Sequence, residues 1–124
     1  MQYSFGRGIG RYIQDTAGLG LDGQVDAVPA GFDTAYAAAW SISYEHWFTE
    51  KWLSNVTYSE DLAGFKGGQP GNTYIGAKYL VASIWYIPFR NMSIGFEYVW
   101  GERKNVDEQR ARANRIDGLI QYNF

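Results

Sequence analysis

The sequence has 124 residues, 46% of them hydrophobic and 18% aromatic, with 15 Gly, no Cys and a formal charge of −2. That length suits one domain; the missing cysteine excludes disulfides, thiolate metal sites and cysteine nucleophiles; the slight negative charge excludes a domain-wide basic nucleic-acid footprint. No apolar run reaches the roughly 18 residues of a membrane helix, because the longest, Tyr79 to Phe89, is broken by Ser83 and Pro88.

Six segments read as strands, at 2–13, 34–47, 51–60, 73–87, 91–103 and 112–124. β-Branched and aromatic residues recur in them with period two. Around the first, Arg7 and Arg11 interrupt any apolar core that a signal peptide would need. A long connection over 14–33 follows, punctuated by Gly18, Gly20, Gly23 and Pro29. Gly18 to Gly23 matches the dinucleotide-binding pattern literally, but that pattern needs a strand before it and a helix after it. An Asp- and Pro-containing stretch follows instead, so a plain loop is predicted.

Ala35 to Trp40 has helix propensity, yet Tyr36, Trp40, Ile42 and Tyr44 keep one parity, which predicts a strand. His46 is the single histidine; without cysteine it has no zinc partners of the usual kind. A short turn near Thr49 and Glu50 leads to the third strand, where Trp52, Val56 and Tyr58 oppose Asn55, Thr57 and Ser59. The next connection, 61–72, is long, with Gly64, Gly67, Gly68, Pro70 and Gly71. In the fourth strand Leu80, Ala82, Ile84 and Tyr86 oppose Tyr79, Val81, Ser83 and Trp85, a second face less polar than expected for a water-filled interior. A short turn, Pro88 to Asn91, precedes a strand with Met92, Ile94, Phe96, Tyr98 and Trp100 on one face and Ser93, Gly95, Glu97, Val99 and Gly101 on the other. After a medium to long connection, about 104–111, the last strand sets Ile116, Gly118, Ile120, Tyr122 and the terminal Phe124 against Arg115, Asp117, Leu119, Gln121 and Asn123.

The elements predict an all-β, antiparallel up-and-down meander of about six strands, part of a transmembrane β-barrel and a single partial domain over 1–124. Each strand reaches the roughly 9–11 residues that a tilted barrel strand needs, and short turns alternate with longer loops. Trp47, Trp52, Tyr86, Phe89 and Phe124 flank the short turns, while Tyr98 and Trp100 lie toward the long loops. Two such aromatic groups fit the two interfaces of a bilayer, so outer-membrane lipid is the expected surrounding. Arg115, Asp117, Gln121 and Glu97 share the polar parity and are the pore-lining candidates, with Arg112 beside them; inward charge sets ion preference in pores. No Ser/His/Asp set or paired carboxylates stand out, so neither an enzyme nor a bound cofactor or metal is expected. Period two alone also fits a soluble barrel that holds an apolar ligand, its apolar face inward.

The stretch Tyr98-Val-Trp-Gly-Glu-Arg-Lys-Asn-Val-Asp107, then Arg112-Ala-Asn-Arg-Ile116 and Gln121-Tyr-Asn-Phe124, resembles the C-terminus of DcaP-like outer-membrane porins, and Gly8-Ile-Gly-Arg-Tyr12 resembles an earlier strand of that family. The resemblance implies a sixteen-stranded trimeric porin of the bacterial outer membrane, passing small anionic solutes such as dicarboxylates by passive diffusion. This chain would form its C-terminal third, within a longer exported precursor. It departs from the family in having no signal peptide, no N-terminal strand set and no identifiable constriction loop.

Overall fold

A computed structural model describes residues 1–14, 16–20, 22–27, 30–65 and 68–124. Pro29 and Gly67, read above as loop residues, and Leu21 of the Gly18–Gly23 stretch lie outside them. The strands are β1 Gln2–Arg7, β2 Gly23–Ala27, β3 Ala30–Thr34, β4 Tyr36–Thr49, β5 Trp52–Gly64, β6 Tyr74–Phe89, β7 Met92–Asn105 and β8 Arg110–Tyr122. Six of them form one antiparallel sheet in the order β1-β4-β5-β6-β7-β8, and β2 pairs with β3 in a separate hairpin. The sheet is thus a six-stranded meander whose first connection carries an inserted hairpin. Its two outer strands, β1 and β8, do not pair with each other.

Three expectations need correction. The first strand ends at Arg7 rather than at 13. Gly8 adopts φ +67, a left-handed conformation that breaks the extended run, and its N–H donates to the Ala35 carbonyl. A single 3₁₀ turn, Gly10–Tyr12, follows. The connection over 14–33 contains the β2–β3 hairpin; its Gly and Pro punctuation hid two short strands. The last connection is tight, because Asn105 N–H donates to the Gln109 carbonyl and Glu108 takes φ +64. A three-residue loop closing on a left-handed residue is a standard hairpin geometry. The other two short turns, Glu50-Lys51 and Arg90-Asn91, each leave two residues between paired strand ends.

No large side chain among the described residues is fully buried; the buried apolar positions are mostly alanines, with Ile13 and Tyr74. The accessible surface is 8709 Å² for a chain of 14.1 kDa, where a folded monomer of that mass exposes about 6,700 Å². The excess of about 2,000 Å² lies in side chains such as Ile116, Ile120, Phe96 and Tyr44, which are 79%, 70%, 62% and 67% exposed. Among the described residues the sheet's buried apolar packing is therefore confined to a small cluster, Ala63, Tyr74 and Ala77 with Phe65 and Tyr79 against it.

Candidate functional site: the two faces of the sheet

Pairing register assigns every strand residue to a face. One face gathers Gln2, Ser41, Ser59, Val81, Glu97 and Arg115, one from each strand of the sheet, around a single cavity of about 670 Å³. In a flat sheet β1 and β8 would stand about 24 Å apart, five spacings of roughly 4.8 Å. A cavity lined by both edges therefore marks this face as concave. Tyr12, the last residue of the 3₁₀ turn, and Ile13 and Gln14 after it line the same cavity. Thr16 holds that segment in place, its hydroxyl donating to the Gly10 carbonyl at 2.5 Å.

The concave wall mixes apolar side chains, Val81, Val99 and the row Trp47, Leu53, Trp85 and Leu119, with polar ones that bond each other within and across strands. Ser43 and Thr57 hydroxyls meet at 2.9 Å, Thr57 donates to Asn55 at 3.0 Å, and Gln121 donates to Asn123 at 3.3 Å. Arg115 Nε donates to Asp117 Oδ2 at 2.7 Å, and Asp117 lies directly across from Glu97. Toward the long connections the Tyr74 hydroxyl donates to Asp61, and the Arg103 guanidinium sits 5.4 Å from the Tyr74 ring centroid. Tyr79 packs against the small buried cluster of Ala63, Tyr74 and Ala77, and both Tyr79 and Trp85 also reach sideways. They lie flat over Gly101 and Gly95, their direct cross-strand partners on β7. That arrangement accounts for the low polarity of this face of β6.

The opposite, outer face is apolar over most of its height. Along β7 and β8 it presents Met92, Ile94, Phe96, Tyr98 and Trp100 beside Tyr122, Ile120, Gly118, Ile116 and Asn114. β6 continues it with Tyr86, Ile84, Ala82 and Leu80; β5 with Trp52, Ser54, Val56 and Tyr58; β4 with His46, Tyr44 and Ile42. None of these is Asp, Glu, Lys or Arg. Met92 to Trp100, and Asn114 to Tyr122, span nine residues each, at the length a tilted barrel strand needs to cross hydrocarbon. The next register row is abruptly charged, as Glu60 pairs with Lys78, Lys78 with Glu102, and Glu102 with Arg112.

Of the candidate pore residues, the structure brings Glu97 and Arg115 to the cavity, binds Asp117 to Arg115, and sets Gln121 on the same face nearer the short turns. Arg112 is a correction. It is three residues from Arg115, and an odd separation turns a strand residue to the other face; its Nε donates to Glu102 at 2.7 Å on the outer side. Among the aromatics, Trp52 and Tyr86 stack across β5 and β6 with centroids 4.7 Å apart. Tyr98 and Trp100 are on the outer face, with the Tyr98 hydroxyl donating to Asn114 at 2.7 Å. Phe89 and Phe124 are exposed at the short-turn end. Trp47 is the second correction: it has the concave parity and donates its indole N–H to Glu45 at 2.8 Å, so it does not stand with the outer aromatics.

The charged row and the Tyr12–Gln14 segment escaped sequence reasoning. The first needs register, which a parity reading of isolated strands does not supply; Tyr12 and Ile13 of the second fall within the strand expected over 2–13, which the left-handed Gly8 ends early. No family model, curated protein or solved structure matches this chain.

Proposed function

We propose that this chain is a wall segment of a membrane-spanning β-barrel in a bacterial outer membrane, with its outer face on lipid and its concave face on an aqueous path for small solutes. One observation carries the reading: charge is absent from nine-residue stretches of the outer face, while Glu97, Arg115, Asp117, Asp61 and Glu45 all lie on the concave face. A soluble barrel buries its apolar face inside and has the reverse polarity. In lipid a spanning sheet must also close, so β1 and β8 are completed by further strands. The likeness of the last hairpin to DcaP-like porins agrees with this reading and rests on the residues quoted for it.

The resemblance implies anions, and Arg115 alone points the same way. Yet Arg115 is paired with Asp117, Arg112 faces outward, and the concave wall sets Arg103 and Arg115 against Glu45, Asp61, Glu97 and Asp117. This part of the wall favours cations, so an anion preference of a complete pore would come from its other strands.

Facing is tested with an environment-sensitive dye on single cysteines at Phe96→Cys and Ile120→Cys, against Ser59→Cys and Ser83→Cys, in lipid vesicles. A lipid-phase quencher should reach only the first pair, and an aqueous quencher only the second. The reverse pattern would establish the soluble barrel with an apolar interior.

A further inference from the structure

The abrupt charged row on the outer face has a composition of its own. Glu60, Lys78, Glu102 and Arg112 occupy adjacent positions across four strands, and Lys104 pairs with Arg110 in the row beyond. At Glu102 and Glu60 the carboxylates lie low and the cations stand over them, whereas Lys104, 33% exposed, bonds the more exposed Glu108 at 2.7 Å. The Glu102 side chain is 7% exposed, whereas those of Arg110 and Arg112, both bonded to it, are 51% and 65% exposed. Lys78, 44% exposed, likewise covers Glu60, which is 23% exposed. Arg112 gives Glu102 its Nε–H and Arg110 gives it an Nη1–H. A guanidinium has five donors, so each keeps N–H groups directed elsewhere. What Lys78, Arg110 and Arg112 present to their surroundings is thus positive, immediately above the apolar stretch ending at Leu80, Trp100 and Tyr58.

Resting on the lipid-facing reading of the outer face, we infer that this row, Lys78, Lys104, Arg110 and Arg112 above half-buried Glu60 and buried Glu102, seats the phosphate of an anionic membrane lipid. The geometry suits an amphiphile with phosphate above acyl chain. The guanidinium forks match phosphate oxygens, and the chains run down over Trp100, Leu80 and Tyr58. Glu102 pre-orients both arginines, so their side-chain freedom is already reduced before lipid arrives. A free soluble phosphate compound would make the same polar contacts but would have no use for the apolar wall beneath.

Binding of the full chain to phosphatidylcholine vesicles, with and without phosphatidylglycerol, is followed by tryptophan emission. Wild type should bind the anionic vesicles about tenfold more tightly, with the gap shrinking as salt is raised. Replacing Glu60, Lys78, Glu102, Lys104, Arg110 and Arg112 together by Gln removes both signs, strands no buried charge, and should abolish the gap. Should that variant not fold, Lys104→Gln with Arg110→Gln leaves the Glu102–Arg112 pair intact and should still cut the gap about threefold. Arg110→Lys with Arg112→Lys should retain most of it. Emission that shifts to the lipid state equally in both vesicle types, or a full gap in the folded Gln variants, would overturn this inference and leave the lipid-facing reading standing. Emission that reports lipid contact in neither vesicle type would overturn both.

Discussion

Gly95→Ala is a sharp probe of how the concave wall is built. A Cβ on Gly95 would stand 2.5 Å from Cε3 and Cζ3 of Trp85 and 2.7 Å from Cδ2. Carbon atoms settle near 3.5–4.0 Å, so the overlap exceeds about 1 Å and falls on the body of the indole. The ring must swing off β7. In doing so it gives up the bond from its Nε1 to Ser83 Oγ, now 3.1 Å, a loss of about 0.5–1.5 kcal/mol. Overpacking adds about 1–3 kcal/mol, and the stiffer unfolded chain returns about 0.4–1 kcal/mol. The net expectation is destabilisation by about 1–3 kcal/mol, read from urea unfolding in detergent. Two other glycines provide a gradient. At Gly101 the nearest Tyr79 atom is 3.1 Å away, and at Gly118 the nearest Phe96 atom is 3.7 Å away. Alanine should therefore cost less at 101 and nothing at 118. In the Trp85→Ala background Gly95→Ala should lose its penalty, a coupling of at least about 1 kcal/mol. A Gly95→Ala protein as stable as wild type would refute the stacking of Trp85 on this backbone.

Arg115→Glu in the closed barrel should raise the cation-to-anion permeability ratio, measured as reversal potential in a salt gradient; an unchanged ratio would remove Arg115 from any role in selectivity. Glu108 is held in the left-handed region at φ +64 and bonds Lys104 at 2.7 Å, so Glu108→Gly should relieve the backbone and raise the thermal midpoint by a few degrees. The Lys104 ammonium, hydrogen-bonded to Glu108, holds that carboxyl below the usual range. Its small stabilising effect is therefore complete above the unfolded value of about 4.3, fades as pH falls through the lower folded value, and should vanish from acid titrations of Glu108→Gly. The chain by itself in planar bilayers should give no fixed unitary conductance. β8 alone leaves roughly six residues with outward N–H and C=O groups, each costing several kcal/mol in hydrocarbon against a domain stability of about 5–15 kcal/mol. Reproducible steps of one size would mean that copies close a barrel through these edges.

Period two made most of the sheet legible. β4 to β8 were visible because alternation depends only on the two faces meeting different surroundings, and Ile94, Phe96, Ile120 and Tyr122 keep that alternation without interruption. β1 was overextended because the residues after Gly8 are as strand-like in composition as those before it; the turn depends on one left-handed φ. β2 and β3 were missed because five-residue strands beside Gly and Pro look like loop. Arg112 was grouped with Arg115 by nearness in the chain, although a separation of three already assigns them to opposite faces.

What single-strand parity lacks is register, and register is where the two faces acquire their meaning. The two-residue turns at Glu50-Lys51 and Arg90-Asn91 tie β4 to β5 and β6 to β7. The second of those ties sets Lys78 against Glu102, the tight loop after Asn105 sets Glu102 against Arg112, and the pairing of β5 with β6 adds Glu60, although the four are 18, 24 and 10 positions apart in the chain. Each of these charges alone reads as an ordinary strand residue near a loop. In one row they end the apolar face on four strands together, and each meets an opposite charge beside it. The same register lays Trp85 on Gly95 and Tyr79 on Gly101. On the proposed reading the concave face meets water over most of its area, so a side chain there has little opposite it to pack against. It gains apolar contact only by folding sideways onto its own sheet, and a glycine on the neighbouring strand leaves the room to do so. The inward aromatics are therefore compatible with a polar path along the concave face: their apolar surface is spent on the backbone beside them, while Glu97, Arg115 and the serines remain turned to the cavity.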